Sequence, residues 1–135
     1  MLLIPYLPFN GNCEEAFKFY ERVLNGKIDA LIPHAGTPAE QGVPPDWRDK
    51  ILHAKLTAEG AVLMGSDDQR YQPPSKGIVV ALQLKNPEQA DRIFAALAEG
   101  GTVQMPIQQT FFAARFGMLV DRFNIPWMIN CEGRP

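Results

Sequence analysis

Two histidines, His34 and His53, and two cysteines, Cys13 and Cys131, are candidates for acid–base, nucleophilic or metal chemistry in this sequence. His53 falls in a strand-like run, where it could face a binding site or be satisfied on a strand edge. Both interpretations stand, because a lone histidine with no evident partner carries little information. Two histidines alone cannot supply the three or four ligands that a zinc site needs.

Cys13 lies just inside a predicted helix, where the partial positive charge of the helix N-terminus can lower a thiol pKa and create a nucleophile. No histidine lies near Cys13 in the sequence to serve as a base, so an ordinary half-buried thiol is the favoured interpretation. Asp67 and Asp68 could form an acid–base pair. They follow a strand end before a Gln-Arg turn, however, and we interpret them as a solvated turn.

Lys55 and Arg115 are the cationic candidates for ligand binding, since ammonium and guanidinium groups pair with carboxylate, phosphate or enolate groups. Alternatively, both are solvated charges on an open sheet face. That alternative is favoured for Lys55, because long cationic side chains usually keep their charged ends in water. If the chain is an enzyme, the candidate catalytic residues are His53 and Arg115.

An internal repeat surrounds these residues. The segment at residues 12–26 recurs 74 positions later at residues 86–100, with Asn, Glu, Ala and Gly at matching places. A match at a fixed offset indicates two copies of one structural unit. Such a duplication also predicts where a shared ligand site would lie.

Each copy predicts a helix. Asn12 and Asn86 are N-cap candidates, with Glu15 and Gln89 three residues later to close capping boxes. Apolar residues follow at the i, i+3, i+4, i+7, i+8 spacing of a half-buried helix. The predicted left-handed C-caps are Gly26 and Gly100.

Strand patterns flank both helices. The predicted strands are residues 2–9, 27–33, 51–57 and 61–66, and then residues 77–84, 102–108, 115–120 and 125–130. Residues 72–76 are proline-rich and predict a linker. We therefore expect an α+β fold with one domain, residues 1–135. Two βαβββ repeats, residues 1–70 and 75–132, would form a curved mixed sheet with the helices on its outer face.

Composition narrows the function classes. The chain has 135 residues, a formal net charge of -2 and no cluster of Lys or Arg, so neither nucleic-acid nor membrane partners are expected. No apolar run approaches the roughly 18 residues that span a bilayer. Residues 1–9 lack the charged start and cleavage site of a signal peptide. With only two cysteines, a cytoplasmic location with reduced thiols is predicted.

Three segments carry a resemblance to a known family: FNGNCEEAFKFYERVLNGKI, KILHAKLTAEGAVLMGSD and GGTVQMPIQQTFFAARFGMLVDRFNIPWMIN. They resemble the PhnB-like branch of the glyoxalase, bleomycin-resistance and extradiol-dioxygenase superfamily, also called the vicinal oxygen chelate fold. The resemblance covers nearly the whole chain and implies a homodimer whose ligand cups are completed across or beside the interface. The two repeats could pair within one chain or exchange between subunits, because both arrangements bury the same apolar faces. This superfamily includes lyases, dioxygenases, thiol transferases and drug-binding proteins, so the fold does not specify the activity.

Metal-dependent members of the superfamily hold their ion with four inward-facing side chains. The resemblance places the equivalent positions at Pro5, Met64, Val79 and Met128. Proline and valine have no ligand atom, and a thioether is too soft for the divalent ions that this fold usually holds. We therefore expect no metal and no cofactor, and no polarisation of vicinal oxygens by a cation.

Strand alternation then predicts which side chains face the cup. The expected apolar lining is Pro5, Leu7, Phe9, Met64, Val79, Ala81, Leu119 and Met128. The expected polar members are His53, Lys55, Gln83 and Arg115. The residues expected to pack away from the cup, on the helices, are Leu52, Ala54, Leu56, Phe116, Met118 and Val120. An apolar cavity with a few polar groups is typical of a small-ligand site.

Aromatic residues outside the predicted elements have two interpretations. Trp47 lies in a long loop and is expected either to cover the cup as a lid, and so to contact the ligand, or to fill a dimer seam. Phe111 and Phe112 have the same two interpretations, because exposed aromatic side chains are enriched at interfaces.

The sequence thus predicts a metal-independent protein that binds or sequesters a small molecule, with an anionic ligand favoured by the cationic candidates. The alternative is an enzyme acting on a small organic substrate in the same cup, as a lyase, dioxygenase or transferase. PhnB-like sequences are sometimes labelled demethylubiquinone methyltransferases. A Rossmann-type methyltransferase would need a glycine-rich loop between a strand and a helix, and the sequence has no such pattern.

Overall fold

The computed structural model describes residues 1–74 and 77–133 and divides into two compact units, Met1–Pro73 and Pro74–Pro135. Ser75 and Lys76, in the predicted linker and at the predicted start of the second repeat, lie outside the described residues. None of the helices in the described ranges is long and apolar enough to cross a membrane.

The first unit is a helix packed on a four-stranded sheet. Its elements are β1 (Tyr6–Phe9), α1 (Cys13–Leu24), β2 (Lys27–Pro33), β3 (Ile51–Ala58) and β4 (Ala61–Asp67). The strand order is β1-β4-β3-β2, in which β1 and β4 are parallel and the other pairs are antiparallel. Two short 3₁₀ segments, Glu40–Gly42 and Pro45–Trp47, lie between β2 and β3.

The second unit repeats this plan. Its elements are β5 (Val80–Leu84), α2 (Pro87–Ala98), β6 (Thr102–Gln108), β7 (Arg115–Val120) and β8 (Pro126–Cys131). The order β5-β8-β7-β6 again combines one parallel pair with two antiparallel pairs. The predicted α+β fold class with two βαβββ units is confirmed. The bounds of β2, β6 and β7 match the prediction, whereas β1 and β5 begin later than expected.

The helix ends confirm only part of the capping prediction. Asn86 Oδ1 accepts a hydrogen bond of 3.0 Å from the Gln89 N–H, as expected for an N-cap. Asn12 occupies the N-cap position of α1, as predicted, but its side chain makes no capping bond. The left-handed residue after α1 is Asn25, with φ of 51°, and not Gly26. Gly26 is needed for another reason, since a β-carbon there would lie 2.7 Å from the Thr57 carbonyl oxygen.

Each sheet has a helix face, which packs on the helix of the same unit, and an open face on the opposite side. On the first sheet the helix face carries Leu7, Phe9, Ala54, Leu56, Leu63 and Gly65. On the second sheet it carries Gly117, Leu119, Trp127 and Ile129. Since alternate residues of a strand point to opposite faces, these two sets determine which side chains belong to the open faces.

Candidate functional site

A histidine and a tyrosine are paired on the open face of the first sheet. The Tyr6 ring stacks on the His53 ring with centroids 5.9 Å apart, and Tyr6 Oη lies 3.2 Å from His53 Nδ1. Tyr6 is paired with Met64 in the sheet, and Met64 is paired with Lys55. His53, Lys55 and Met64 therefore share one face, as predicted. Tyr6 is an addition that sequence analysis missed.

The prediction that Leu7 and Phe9 face the cup is wrong. Phe9 contacts Phe17 of α1 edge-on, with ring centroids 5.9 Å apart, and Leu7 and Phe9 are both buried on the helix face. Ala54 and Leu56 are also buried there, as expected.

A loop of unequal length explains this error. Three residues, 10–12, separate β1 from α1, whereas only residues 85–86 separate β5 from α2. Tyr6 pairs with Met64 in the first sheet, and Ala81 pairs with Met128 in the second. Because Met64 and Met128 are equivalent in the repeat, equivalent residues of β1 and β5 differ by 75 positions. Equivalent residues of α1 and α2 differ by 74. A slip of one residue moves every side chain of a strand to its other face.

The two positions before the first strands lie outside regular structure. Pro5 immediately precedes β1 and is exposed, and its carbonyl oxygen accepts a hydrogen bond of 3.0 Å from the Met64 N–H. Val79 immediately precedes β5 and is half-buried. Their proposed contacts with a ligand stay predictions.

Arg115 and Leu119 were expected in the cup, and this prediction is also wrong. Arg115 Nε donates to Asp91 Oδ1 of α2 at 2.9 Å, and Leu119 is fully buried opposite Trp127. The reason is Gly117, which lies on the same face as Leu119 and lets the Phe94 ring of α2 approach closely.

Phe116 and Met118, which were expected against the helix, consequently lie on the open face of the second sheet. Both alternating sets of β7 include apolar residues, so alternation alone could not orient this strand. This open face also carries Ala81, Gln83, Met128 and Asn130. The predicted placement of Gln83 and Met128 away from the helix is thus confirmed.

Gln83 and Asn130 are joined by a hydrogen bond between their side-chain amides. Asn130 Nδ2 donates to Gln83 Oε1 at 2.8 Å, across the parallel pair of β5 and β8. Asn130 Oδ1 is buried and has no hydrogen-bond partner. Asn130 was absent from the predicted set, although its position two residues after Met128 in β8 was a usable signal.

The loop aromatics have defined places but untested roles. Trp47 ends the second 3₁₀ segment and is half-buried, and its function as lid or interface residue stays a prediction. Phe111 is 90% exposed and packs edge-on against Phe112, which in turn contacts Phe116. A chain of three rings therefore extends from the solvent to the open face of the second sheet.

A family model described as 3-demethylubiquinone-9 3-methyltransferase matches residues 2–130. The chain belongs to this family. It is similar to protein YjdN of Escherichia coli (strain K12), with 34% identity over 139 residues that cover 96% of this chain and 95% of YjdN. The resemblance to the PhnB-like branch of the vicinal oxygen chelate superfamily is thus confirmed.

Solved structures of similar proteins share this fold. Protein PA1353 from Pseudomonas aeruginosa is 46% identical, with a TM-score of 0.87 over 98% of each chain. The PhnB protein from Bacillus cereus has a TM-score of 0.79 at 21% identity, covering 97% of this chain and 99% of that one, which supports the shared fold alone.

At the four positions that the sequence resemblance equates with the metal ligands, the side chains do not suit a divalent ion. Pro5 and Val79 offer no ligand atom, and Met64 and Met128 offer only thioethers, which are poor ligands for hard divalent ions. Within residues 1–74 and 77–133, no group of three or more His, Cys, Asp or Glu side chains could hold a metal ion.

Asp67 has a structural role that sequence analysis missed. Its carboxylate is buried and accepts hydrogen bonds from the backbone N–H groups of Gly11, Cys13 and Ile51, at 2.9, 3.0 and 2.8 Å. The prediction of a solvated turn is therefore wrong for Asp67. It holds for Asp68, which is exposed and accepts a bond from the Arg70 N–H.

Two further titratable candidates, Cys13 and His34, are buried in the first unit. Burial raises the pKa of Cys13, and the charges of Asp67 and Glu14 raise it further, so the thiol is protonated and not an activated nucleophile. His34 is also buried, and its Nδ1 lies 2.8 Å from the Lys50 carbonyl oxygen. The structure thus favours the interpretation of Cys13 as an ordinary thiol, and it places His34 against the backbone.

An open depression of about 430 Å³ lies at the N-terminal end of α1, on a part of the first unit that does not include His53. Both lysines that line this depression already have partners in the protein. Lys50 Nζ donates to the Gly11 carbonyl oxygen at 3.0 Å, and Lys18 Nζ forms an ion pair with Glu14 at 2.6 Å. We assign this depression no ligand.

Proposed function

We propose that this protein binds a small organic molecule bearing an acidic group, and that it does so without a metal ion. The observation that carries the proposal is the Tyr6–His53 ring pair beside Lys55 and Met64 on the open face of the first sheet. Aromatic and thioether surface suits an apolar ligand body. An ammonium group and an imidazole can add charge-assisted hydrogen bonds to an acid.

The activity in the family's name is not part of this proposal. Rossmann-type methyl transfer would use a doubly wound parallel sheet with a glycine-rich loop at a helix N-terminus. Each described sheet instead contains one parallel pair and two antiparallel pairs. Metal-assisted chemistry is likewise not invoked, since Pro5, Met64, Val79 and Met128 do not suit a divalent ion.

The test is a fluorescence titration with 8-anilinonaphthalene-1-sulfonate, an aromatic anion, on protein whose metal content has been quantified. The Lys55→Met variant is expected to raise the Kd about tenfold, the loss of roughly one charge-assisted hydrogen bond. Lys27→Met is the matched control, because Lys27 is exposed on β2 and should leave the Kd unchanged. Equal effects of the two substitutions, or saturable binding only with a divalent metal present, would refute the proposal.

Native mass spectrometry of the same sample tests the predicted homodimer. The chain has a mass of 15.0 kDa, so a dimer would appear at twice that value. A monomer would contradict the homodimer without affecting the titration.

One observation favours an enzyme as the second candidate function. Tyr6 Oη lies 3.2 Å from Nδ1 of His53. In the tautomer whose Nδ1–H donates to the Tyr6 oxygen, Nε2 carries no proton and can act as a general base. The enzyme hypothesis predicts that the protein accelerates the exchange of deuterium from deuterated water into the acidic C–H positions of a panel of 1,3-dicarbonyl compounds. That exchange should be lost in His53→Gln and reduced in Tyr6→Phe. No exchange above the buffer rate would count against a proton-transfer enzyme.

A further inference from the structure

The open face of the second sheet contains a hydrogen-bond acceptor that the described protein leaves unused. Asn130 Oδ1 is buried without a partner, while the Nδ2 of the same amide is bound to Gln83 Oε1 at 2.8 Å. Burying a polar atom without a hydrogen bond is unfavourable, because the atom loses its hydrogen bonds to water. Asn130 Oδ1 can therefore accept a hydrogen bond from a ligand that carries a donor.

The surroundings of Asn130 define what such a donor would be attached to. Phe116 is its cross-strand neighbour on β7, Met128 precedes it by two residues on the same face of β8, and Met118 is paired with Met128. Ala81 lies opposite Met128 on β5. The amide pair of Gln83 and Asn130 is therefore a polar point within an apolar and partly aromatic surface.

We propose that this face, formed by Gln83, Asn130, Phe116 and Met128, is a subsite for a hydroxyl or amino group on an aromatic or aliphatic ligand body. Asn130 Oδ1 accepts the ligand hydrogen, and Phe116 and Met128 contact the apolar body. Gln83 is exposed, so rotation of its side chain can admit the donor without a change in the sheet. The inference rests on the proposed function only in that the chain binds a small molecule.

A subsite of this type discriminates between ligands by their hydrogen-bond chemistry. A ligand with a donor satisfies the buried acceptor, whereas an analogue of the same shape without a donor leaves the acceptor unpaired. Phenol and its methyl ether, anisole, are a suitable pair of probes, since they share a ring and differ in the donor. Acetophenone adds an acceptor-only control.

The experiment is an NMR titration of the side-chain amide signals of uniformly ¹⁵N-labelled protein with each probe. Phenol should bind about tenfold more tightly than anisole and shift the signals of Asn130 and Gln83. Asn130→Leu should abolish the preference for phenol and also assigns the Asn130 signal. Asn130→Asp, which keeps an acceptor at this position, should retain the preference. Gln104→Leu, an exposed amide on the edge strand β6, is the matched control.

Three results would overturn the inference. Phenol and anisole could bind equally, acetophenone could bind more tightly than phenol, or the preference for phenol could survive Asn130→Leu. Thermal melts of all variants identify any that fail to fold. If Asn130→Leu fails to fold, the preference of Asn130→Asp for phenol over anisole decides whether the inference holds. The outcome is separate from that of the anion titration, because phenol is neutral and Lys55 lies on the other sheet. Donor selectivity without anion binding would keep this inference and remove the proposed acidic ligand.

Discussion

The backbone N–H of Cys13, the first residue of α1, donates a hydrogen bond of 3.0 Å to Oδ1 of Asp67, the last residue of β4. The same carboxylate also binds the N–H groups of Gly11 and Ile51. One buried side chain thus connects the start of the helix, the loop before it and the start of β3. It supplies the helix-capping bond that Asn12 does not make.

We expect Asp67→Ala to lower the free energy of unfolding by about 3 kcal/mol, because three N–H groups lose a charged acceptor. The matched control is Asp68→Ala, which removes one bond from an exposed side chain and should cost below about 1 kcal/mol. Urea denaturation followed by circular dichroism measures both changes. Equal losses in the two variants would show that Asp67 has no special role.

Gly117→Ala should destabilise the second unit by about 1–3 kcal/mol through overpacking. A β-carbon at this position would lie 2.7 Å from Phe94 Cε2 and 3.0 Å from Ile107 Cα. Gly42→Ala is the control, since nothing lies within 4 Å of its added carbon. The double variant with Phe94→Leu should recover part of the lost unfolding free energy. A neutral Gly117→Ala would contradict our orientation of β7.

Arg115→Gln tests whether Arg115 forms only an ion pair with Asp91 or also binds the ligand. Its side chain is 31% exposed and that of Asp91 47%, so solvent screening limits the contribution of this ion pair to about 1 kcal/mol or less. A double-mutant cycle with Asp91→Asn should give a coupling energy within that limit. The Kd of Arg115→Gln for the aromatic anion should equal that of the wild type. A tenfold rise in Kd would show that Arg115 contributes to ligand binding.

The buried thiol of Cys13 predicts a loss of stability at alkaline pH. In the unfolded chain a thiol ionises near pH 9.0, whereas burial and the charges of Asp67 and Glu14 raise the pKa of Cys13 in the folded protein. The folded state then holds more protons above pH 9, and stability falls by up to about 1.4 kcal/mol per pH unit for this thiol. Between pH 7.5 and 10.5, wild type should lose about 2 kcal/mol more than Cys13→Ala in urea denaturation. Parallel pH profiles would contradict the raised pKa.

The helices and strands were predictable from the sequence because they depend on local patterns. The apolar stripe after Asn12 recurs after Asn86, and both helices occupy positions that differ by the predicted 74 residues. The orientations of β3, β4 and β5 were also predictable, so His53, Lys55, Met64 and Gln83 lie on the expected face.

The sequence by itself therefore determined the order of the elements, the duplication and the family, since periodicity and matching motifs depend on neighbouring residues. Only the tertiary structure decided which face of β1 and β7 meets the helix. The extra residue in the loop before α1 shifts β1 by one position relative to the helix. In β7, Gly117 lets Phe94 of α2 pack on the face that carries Gly117 and Arg115. Strand orientation depends on contacts between distant segments, and a shift of one residue is enough to reverse it.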